Sequence, residues 1–397
     1  MTKTARYAMF AMLYFAQGAV LSYFTALNSL YLLGFDLTMS QVGLVGMVGL
    51  IPLVLKIFLG MLSDRVNLLG KGHRRPYIIM GLLLQAACLL TAPLINPGRQ
   101  YGLFLGLAFS MMTGMALYDT ATDGLALDST PKEEEGAIQG FMVGGRALGV
   151  VLISGVIGIL VERTSWAAAF ALLAVLSLLP LPFVFAAREP ARRPDQKFEW
   201  KAFSAFKAWP LIALGLLGAV YSLVINGANQ IMNPFLQQRF NISLGTAGLV
   251  TTVWGLGVVA GSLAGGKLAD RWGHRQAALR AILLSFGSIL LLAFVVKSWL
   301  VWPLAGLFGL AYGFYETVYF AIAMDRTDPR IAASMFSILM AVANLGTGIG
   351  LGLAGGLVDL AGFATTFAIL AVINLAGLIL LPAIFGRRKQ AVSLEAV

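Results

Sequence analysis

The chain is short of charged residues, cysteine and histidine. Charged side chains make up 12% of its 397 residues, whereas a soluble domain has roughly 25%. A soluble protein with so few charges and a hydrophobic fraction of 59% has too little polar surface to face water. The single cysteine, Cys88, excludes an intrachain disulfide. These shortages exclude an ordinary soluble domain, and no cluster of ligating side chains predicts a metal site.

Long apolar runs take the place of the missing charges, and the mean hydropathy is +0.84. The runs are continuous, which is typical of membrane helices rather than of the alternating strands of a β-barrel. Twelve of them have spanning length: 7–34, 41–62, 76–95, 101–127, 137–161, 166–187, 209–236, 246–267, 276–296, 300–324, 332–357 and 363–385. We predict an all-α integral membrane protein with twelve transmembrane helices, the first a retained span rather than a signal peptide.

The distribution of the 28 lysines and arginines predicts the orientation in the membrane. Two of them, Lys56 and Arg146, fall inside predicted spans, and nearly all the others lie on one side. The exceptions, on loops of the other side, are Arg99, Arg163, Arg239 and Lys297. The positive-inside rule then predicts that both termini lie in the cytoplasm. The predicted location is the inner membrane. The same rule explains the net charge of +10 without nucleic acid.

The spans divide into two groups of six around a polar stretch rich in proline and basic residues, Arg188–Lys207. We therefore predict an N-terminal half at 1–187, a cytoplasmic linker at 188–208 and a C-terminal half at 209–397. Three segment pairs recur between the halves: Phe35–Val45 with Phe240–Val250, Gly60–Arg65 with Gly266–Arg271, and Asp128–Pro131 with Asp325–Pro329. Such an in-line repeat predicts two parallel, pseudo-symmetric halves related by an axis along the membrane normal.

One recurring loop carries a family signature. Residues Gly266–Arg275 read Gly-Lys-Leu-Ala-Asp-Arg-Trp-Gly-His-Arg, and Gly60–Arg65 with Gly72–Arg75 form a second copy in the first half. Both copies resemble the signature loop of the major facilitator superfamily. The resemblance implies a secondary active transporter that works by alternating access, with a cytoplasmic latch in these loops. The predicted latch residues are Gly60, Asp64, Arg65, Arg74, Arg75, Gly266, Asp270, Arg271 and Arg275.

The predicted latch has a physical reason at each residue type. Gly60 and Gly266 would allow close helix approach. Asp64 and Asp270 would face helix N-termini of the opposite half, where the helix dipole favours an anion. The arginines would pair with acidic groups across the gap. The alternative is that the basic residues serve only the positive-inside rule.

The first half also resembles a narrower group, the muropeptide permeases, folate–biopterin transporters and acetyl-CoA transporters. The resemblance covers roughly residues 10–150. It rests on these residues: Tyr14–Gly18, Lys56, Leu59–Arg65, Arg74–Tyr77, Asp119, Asp123 and Arg146. It implies proton-coupled import of a small organic solute.

Four charged residues of the first half lie inside predicted spans, where an ionisable group is costly and usually functional. Asp119 and Asp123 are four apart and share a helix face. Asp119 and Arg146 each lie nine residues from the cytoplasmic helix end, about 13 Å at 1.5 Å per residue. We therefore expect an Asp119–Arg146 pair, with a second pair between Lys56 and Asp123. The alternative is a static bridge that only orients helices.

The repeat assigns a counterpart to Asp119 in the second half. Aligning Asp128 with Asp325 places Asp119 on Glu316, whereas the position equivalent to Arg146 has no cation. Glu316 is therefore expected to be an unpaired buried carboxylate, suited to carry a proton or to contact substrate. The alternative is a protonated carboxyl group that is hydrogen-bonded to backbone or tyrosine.

Polar residues on three helices predict a substrate cavity between the halves. Lipid-facing amides are unfavourable, so the amides of the seventh helix should face the interior, unless they serve helix–helix hydrogen bonds. Amides beside aromatic rings suit an organic solute with hydrogen-bonding groups and a flat or apolar part. The predicted cavity residues are Tyr14, Gln17, Asn28, Asn226, Asn229, Gln230, Asn233, Tyr312, Tyr315 and Tyr319.

The sequence thus predicts a non-enzymatic, monomeric membrane transporter without a cofactor, whose partners are a small organic solute, protons and the lipid bilayer. Proton-coupled import is the first interpretation. Efflux of drugs or lipids by proton antiport is the second, and the fifth helix lacks the Gly-Pro pair common in drug antiporters. A third is a non-transporting receptor or assembly factor on the same scaffold, which the buried charges and two latch loops disfavour.

Overall fold

The computed structural model describes residues 3–67, 72–131, 134–187, 189, 206–326 and 332–386. These residues form α-helices joined by short turns, and they contain no strand. In chain order the helices are α1 (Lys3–Ala26), α2 (Asn28–Leu33), α3 (Met39–Val54), α4 (Lys56–Arg65), α5 (Arg75–Thr91), α6 (Tyr101–Ser129), α7 (Glu135–Arg163), α8 (Trp166–Leu178), α9 (Leu181–Ala186), α10 (Trp209–Phe240), α11 (Leu244–Trp272), α12 (His274–Ala293), α13 (Val301–Arg326), α14 (Ala332–Ala361), α15 (Phe363–Asn374) and α16 (Ala376–Phe385).

The helices cross the membrane twelve times. Eleven segments of the described chain are long and apolar enough to span, and the shorter apolar helix α3 is continued by α4 into a further crossing. An even number of crossings brings both chain ends to the same side, which we name the terminal face; the other side is the opposite face. The predicted all-α membrane fold with twelve spans is confirmed.

The two halves meet along two pairs of helices. The N-terminal half comprises α1–α9 and the C-terminal half α10–α16; α3 packs on α14, and α7 packs on α11. Apart from Glu189 and 206–208, the predicted linker at 188–208 lies outside the described residues, so the domain boundaries stay a prediction.

A close crossing of α1 and α7 positions the charged residues of the first half. A Cβ atom on Gly18 of α1 would lie 2.1 Å from the carbonyl oxygen of Arg146, and one on Gly145 would lie 2.3 Å from the carbonyl oxygen of Ala11. Only glycine allows backbones to approach this closely. The crossing therefore fixes Arg146 beside the stretch of α1 that carries Tyr14 and Gln17.

The second span is broken in the middle. Pro52 lies inside α3, which ends at Val54, and a new helix begins at Lys56 after the intervening Leu55. Proline lacks the backbone N–H and clashes with the preceding turn, so it interrupts a helix near this point. The sequence predicts one continuous span at 41–62, which the structure divides into α3 and α4. The break places Lys56 at the start of α4.

Candidate functional site

Two carboxylates of α6 are held by donors from α1. The Tyr14 hydroxyl donates a hydrogen bond to Asp123 Oδ1, and Gln17 Nε2 donates to Asp119 Oδ1 at 2.9 Å. Asp119 and Asp123 are one turn apart on α6, and Tyr14 and Gln17 are three apart on α1, so each pair presents one face to the other. Tyr14 and Gln17, which the sequence predicts to line the cavity, donate hydrogen bonds to these carboxylates in the structure.

The cation that pairs with Asp119 is Lys56. Lys56 Nζ lies 3.3 Å from Asp119 Oδ2, and Asp119 is only 6% exposed. Lys56 also interacts with Asp123, but more weakly and without a salt bridge, so the predicted Lys56–Asp123 pair is wrong. The predicted pairing of Asp119 with Arg146 is therefore wrong. Depth along two helices gave the height of each group but not the direction in which it points.

Arg146 is influenced by charged groups of both halves. Among the ionisable groups around its guanidinium, Glu316 of α13 interacts with it most strongly, ahead of Tyr14 and Asp119. Arg146 is in turn the charge that acts on Glu316. Within the described part of the chain, the Arg146 side chain forms no salt bridge or hydrogen bond, so these interactions act at longer range. Both side chains are half-buried at the meeting of the two halves.

Glu316, in contrast to Asp119, forms no salt bridge among the described residues. That it is an unpaired carboxylate stays a prediction. Within its own half, the region equivalent to Arg146 contains Asn344, whose Nδ2 donates to the Leu53 carbonyl across the halves at 3.3 Å. The cation that acts on Glu316 at longer range, Arg146, belongs to the other half. The charges at mid-depth thus comprise one salt bridge, Lys56–Asp119, and longer-range interactions of Arg146 with Asp119 and Glu316.

An aromatic pair flanks Arg146 and Glu316. Tyr312 lies one turn before Glu316 on α13 and interacts electrostatically with both charged groups. Its ring contacts Trp254 of α11 edge to face, with centroids 5.4 Å apart. Trp254 Nε1 is buried without a hydrogen-bond partner among the described residues. Sequence reasoning found Tyr312 but missed Trp254, for which no spacing signal stands out.

Tyr315 and Tyr319 do not share this position. They are 1% and 0% exposed and lie inside the C-terminal half, where both rings pack on Tyr221 of α10 with centroids 5.1 and 5.0 Å away. Their predicted place on the cavity wall is therefore wrong. Tyr312 and Glu316 are four apart and share one face of α13, whereas Tyr315 and Tyr319 share another.

The amide stripe of α10 faces the interior as predicted, but mostly bonds to neighbouring helices. Asn226 Nδ2 donates to Thr347 Oγ1 at 3.2 Å, and Gln230 Nε2 donates to the Leu351 carbonyl at 3.0 Å. Asn233 Nδ2 donates to the Ala26 carbonyl of the other half at 2.7 Å. In contrast, Asn229 Oδ1 is buried without a partner among the described residues. Asn233 Oδ1 is likewise buried without a partner among the described residues.

Asn28 is placed differently from the other predicted cavity residues. It is 5% exposed and borders a small apolar cavity within the N-terminal half. The other residues that line this cavity all belong to the same half: Tyr23, Phe24, Val45, Phe104, Leu107, Ala108, Met111 and Phe170. Asn28 therefore belongs to the packing of its own half.

The predicted latch of the first half bonds within that half. Arg74 is 5% exposed; its Nε lies 3.3 Å from Asp128 Oδ2, and its Nη1 donates to Ser63 Oγ at 2.9 Å. Arg75 donates to the carbonyls of Val184 and Phe185 of α9 at 3.0 and 2.7 Å. Neither arginine pairs across the gap in these contacts. The side chains of other predicted latch residues lie outside the described part: Gly60, Asp64 and Arg65.

The second-half copy is largely solvated. Asp270, Arg271 and Arg275 are exposed, and within the described residues they form no ion pair. A Cβ on Gly266 would meet only Thr317 Cγ2 at 3.8 Å, an ordinary contact. The close crossing of α11 and α13 is at Gly261 instead, where a Cβ would lie 2.1 Å from the Leu310 carbonyl oxygen. The expected role of Gly266 in helix approach is therefore wrong.

Two known transporters are similar to this chain in sequence. The folate-biopterin transporter of Synechocystis sp. is 28% identical over 190 residues, which is 47% of this chain but only 37% of that transporter. The anhydromuropeptide permease of Escherichia coli K12 is 25% identical over 391 residues, which is 95% of this chain and 79% of the permease.

Solved structures resemble the fold over nearly the whole chain. The nucleoside transporter NupG superposes with a TM-score of 0.78 at 15% identity, over 98% of this chain and all of its own. A bacterial homologue of the human lysosomal transporter Spinster, inward-facing and unoccupied, gives 0.76 at 17% identity, over 96% and 95% of the two chains. The profile of the Major Facilitator Superfamily matches residues 8–228 and 214–395. The chain therefore belongs to the Major Facilitator Superfamily.

Proposed function

We propose that this protein is a secondary transporter that imports a small organic solute together with protons by alternating access. The observation that carries the proposal is that Arg146 in one half and Glu316 in the other are half-buried charges that act on each other at longer range, without a salt bridge among the described residues. Charges that face each other across the moving interface change their interaction when the halves rock. The terminal face is proposed to be cytoplasmic, from the bias of its basic residues, and the membrane to be the inner membrane.

The coupling follows from the charge of Glu316. When Glu316 is deprotonated, its carboxylate attracts the Arg146 guanidinium and favours the arrangement in which the halves hold them together. When Glu316 takes up a proton, that attraction is lost and Arg146 becomes free for an anionic group of the solute. A proton therefore binds the two conformations with different affinity, which is what linkage requires for it to drive the change.

The surroundings of the pair favour a solute with a flat apolar part and hydrogen-bonding groups. Trp254 and Tyr312 offer aromatic surface, while Trp254 Nε1 and Asn229 Oδ1 are a donor and an acceptor without partners among the described residues. Muropeptides, folates, pterins and nucleosides, the solutes in the names of the similar proteins, combine such features. A solute of this kind is the proposed cargo.

The first experiment identifies the solute and tests coupling. Purified protein is screened by thermal shift against muropeptides, folates, pterins, nucleosides, sugars and lysolipids. The best binder is then added outside proteoliposomes that contain the protein, the external buffer is made acidic, and uptake of the solute is measured. We expect uptake above the level without a gradient. Accumulation only when the gradient is reversed would instead indicate efflux by antiport, and binding without any flux would indicate a receptor.

The second experiment assigns the proton to Glu316. Glu316→Gln should abolish pH-driven accumulation while it retains solute counterflow, because an amide cannot exchange the proton yet keeps the shape. The matched control is Asp325→Asn, the same chemical change on α13 but at an exposed carboxylate of the terminal face. Normal pH-driven accumulation by Glu316→Gln would refute the coupling role. Loss of counterflow as well would indicate that Glu316 contacts the solute.

A further inference from the structure

Two carboxylates on the opposite face each bind the start of a helix in the other half. Asp359, near the end of α14, accepts hydrogen bonds from the backbone N–H of Met39 at 3.0 Å and of Ser40 at 2.7 Å. Glu162, near the end of α7, accepts one from the N–H of Gly245 at 2.8 Å. Both contacts join the N-terminal and C-terminal halves.

The contact at Asp359 completes the cap of α3. A helix leaves its first backbone N–H groups without partners. The Thr38 hydroxyl satisfies the N–H of Gln41 through a capping box, which leaves those of Met39 and Ser40. The Asp359 carboxylate takes both, and the helix dipole favours its negative charge. The cap of α3 is thus complete only when the two halves are together on this face.

The internal repeat of the sequence relates the two capping contacts. Glu162 and Asp359 are separated by the same 197 residues as the repeat pair Asp128 and Asp325. Their targets obey the other repeat, because Ser40 and Gly245 are separated by the same 205 residues as the repeated outer loops. The repeat therefore relates the two contacts to each other: in each, a carboxylate of the fifth span of one half caps the second span of the other half.

Matching glycine crossings lie directly beneath the two caps. A Cβ on Gly43 of α3 would lie 2.4 Å from the Leu351 carbonyl oxygen of α14, and one on Gly248 of α11 would lie 2.4 Å from the Ser154 carbonyl oxygen of α7. Backbone therefore touches backbone across both seams. The described ion pairs of the terminal face, in contrast, join groups of the same half, as Arg74 does with Asp128 and Arg6 with Glu134.

We propose that Asp359 and Glu162 are the latch that holds the opposite face closed, and that their release is part of each transport cycle. Asp359 is the stronger arm because it binds two N–H groups, whereas Glu162 binds one. Charged hydrogen bonds to backbone donors are roughly twice as strong as neutral ones, so both arms depend on the carboxylate charge. These are positioning residues: they set the balance between the two faces without touching the charges at mid-depth.

The test measures how far the halves separate and needs no identified solute. Cys88 is the only cysteine, so Cys88→Ser gives a background for two spin labels. Arg99→Cys and Lys297→Cys place the labels on exposed loops of the opposite face, one on each half. Electron–electron double resonance in nanodiscs then reports the populations of short and long distances.

Asp359→Asn should raise the ratio of long to short distances about tenfold, as expected for a lost charged cap of about 1.4 kcal/mol. Glu162→Gln should raise it about threefold, in line with one N–H contact instead of two. The matched control is Asp36→Asn, at an exposed aspartate of the same face. A response of Asp359→Asn no larger than that of Asp36→Asn would overturn the proposal.

A variant that keeps every charge tests the second arm independently, even where Asp359→Asn fails to fold. A Cβ on Gly245 would lie 2.4 Å from Glu162 Oε2, so Gly245→Ala should displace the carboxylate and reproduce the effect of Glu162→Gln. Gly356→Ala is its control, since a Cβ there meets only Ser40 Oγ at 4.0 Å. Equal distance distributions for Gly245→Ala and Gly356→Ala would remove Glu162 from the latch.

Discussion

The two halves have the same helical plan but different chemistry at mid-depth. In the N-terminal half, the Asp119 carboxylate is enclosed by Lys56 and Gln17 of its own half. Its repeat counterpart Glu316 has no such enclosure and interacts with Arg146 of the other half. A carboxylate satisfied within one rigid unit stabilises that unit, whereas one that depends on the other unit reports their relative position. The two halves thus share a helical plan but place their mid-depth carboxylates in different surroundings.

The largest effect is expected from breaking the enclosed pair. Lys56→Met should lower the free energy of unfolding by about 2–3 kcal/mol and reduce transport, because it leaves the buried Asp119 without its cation. The value is set below the roughly 3–5 kcal/mol of a fully buried pair because the Lys56 side chain is 28% exposed. Thermal melting of the purified protein in detergent measures it.

A double variant separates pairing from packing. Asp119→Asn together with Lys56→Met should recover much of the lost stability, since no unpaired charge then remains buried. Strictly additive losses for the two changes would show that the two side chains do not stabilise each other.

A smaller loss is expected at the second carboxylate of α6. Tyr14→Phe removes the hydroxyl that donates to Asp123 and should cost about 1.5 kcal/mol, as for a hydrogen bond to a charged group. The ring itself stays in place, so the change isolates the hydrogen bond. Unchanged melting would indicate that water or another donor replaces the Tyr14 hydroxyl.

The terminal face of the N-terminal half should be sensitive to acid. Hydrogen bonds and charge from Lys3, with the Tyr7 hydroxyl and Arg6, lower the pKa of Glu134 below its usual value. Because the folded pKa lies below the unfolded one, these contacts stabilise the fold above the unfolded pKa, and the stabilisation is lost as pH falls through the folded pKa. Melting temperature as a function of pH should therefore fall less steeply on the acid side for Glu134→Gln; parallel curves would contradict this.

The smallest effect is expected from a tyrosine of the C-terminal half. Tyr319 is fully buried, and its hydroxyl has no hydrogen-bond partner among the described residues. Tyr319→Phe should therefore leave stability within about 0.5 kcal/mol of the parent or raise it, since an unsatisfied buried hydroxyl is costly. A loss of stability as large as that of Tyr14→Phe would contradict the expectation that the Tyr319 hydroxyl, in contrast to that of Tyr14, contributes no hydrogen bond.

Much of the fold could be predicted from the sequence because a bilayer constrains helices by length and hydropathy alone. The break near Pro52 was missed, although a proline inside an apolar run indicates an interruption. The breakpoint matters because it sets where Lys56 begins α4. Hydropathy does not show such breaks, since both pieces remain apolar.

The pairing of charges could not be predicted because residue counting gives depth but not azimuth. Asp119 and Arg146 do lie at similar depth on consecutive helices, yet their side chains point to different partners. The charge that acts on Glu316 comes from the other half, where no spacing rule along one chain segment applies. That Tyr221 faces the interior could have been predicted, because it lies two turns before Asn229 on the same face of α10.

The glycine crossings beneath the latch have an entropic consequence. Where backbone contacts backbone, as at Gly43 with Leu351 and at Gly248 with Ser154, no glycine side chain is ordered when the seam closes or released when it opens. Freezing a long side chain costs up to about 2 kcal/mol, whereas glycine costs nothing of this kind. Closure of this face therefore carries little rotamer penalty. The balance between open and closed is left to a handful of polar contacts, and small changes in those contacts suffice to move it.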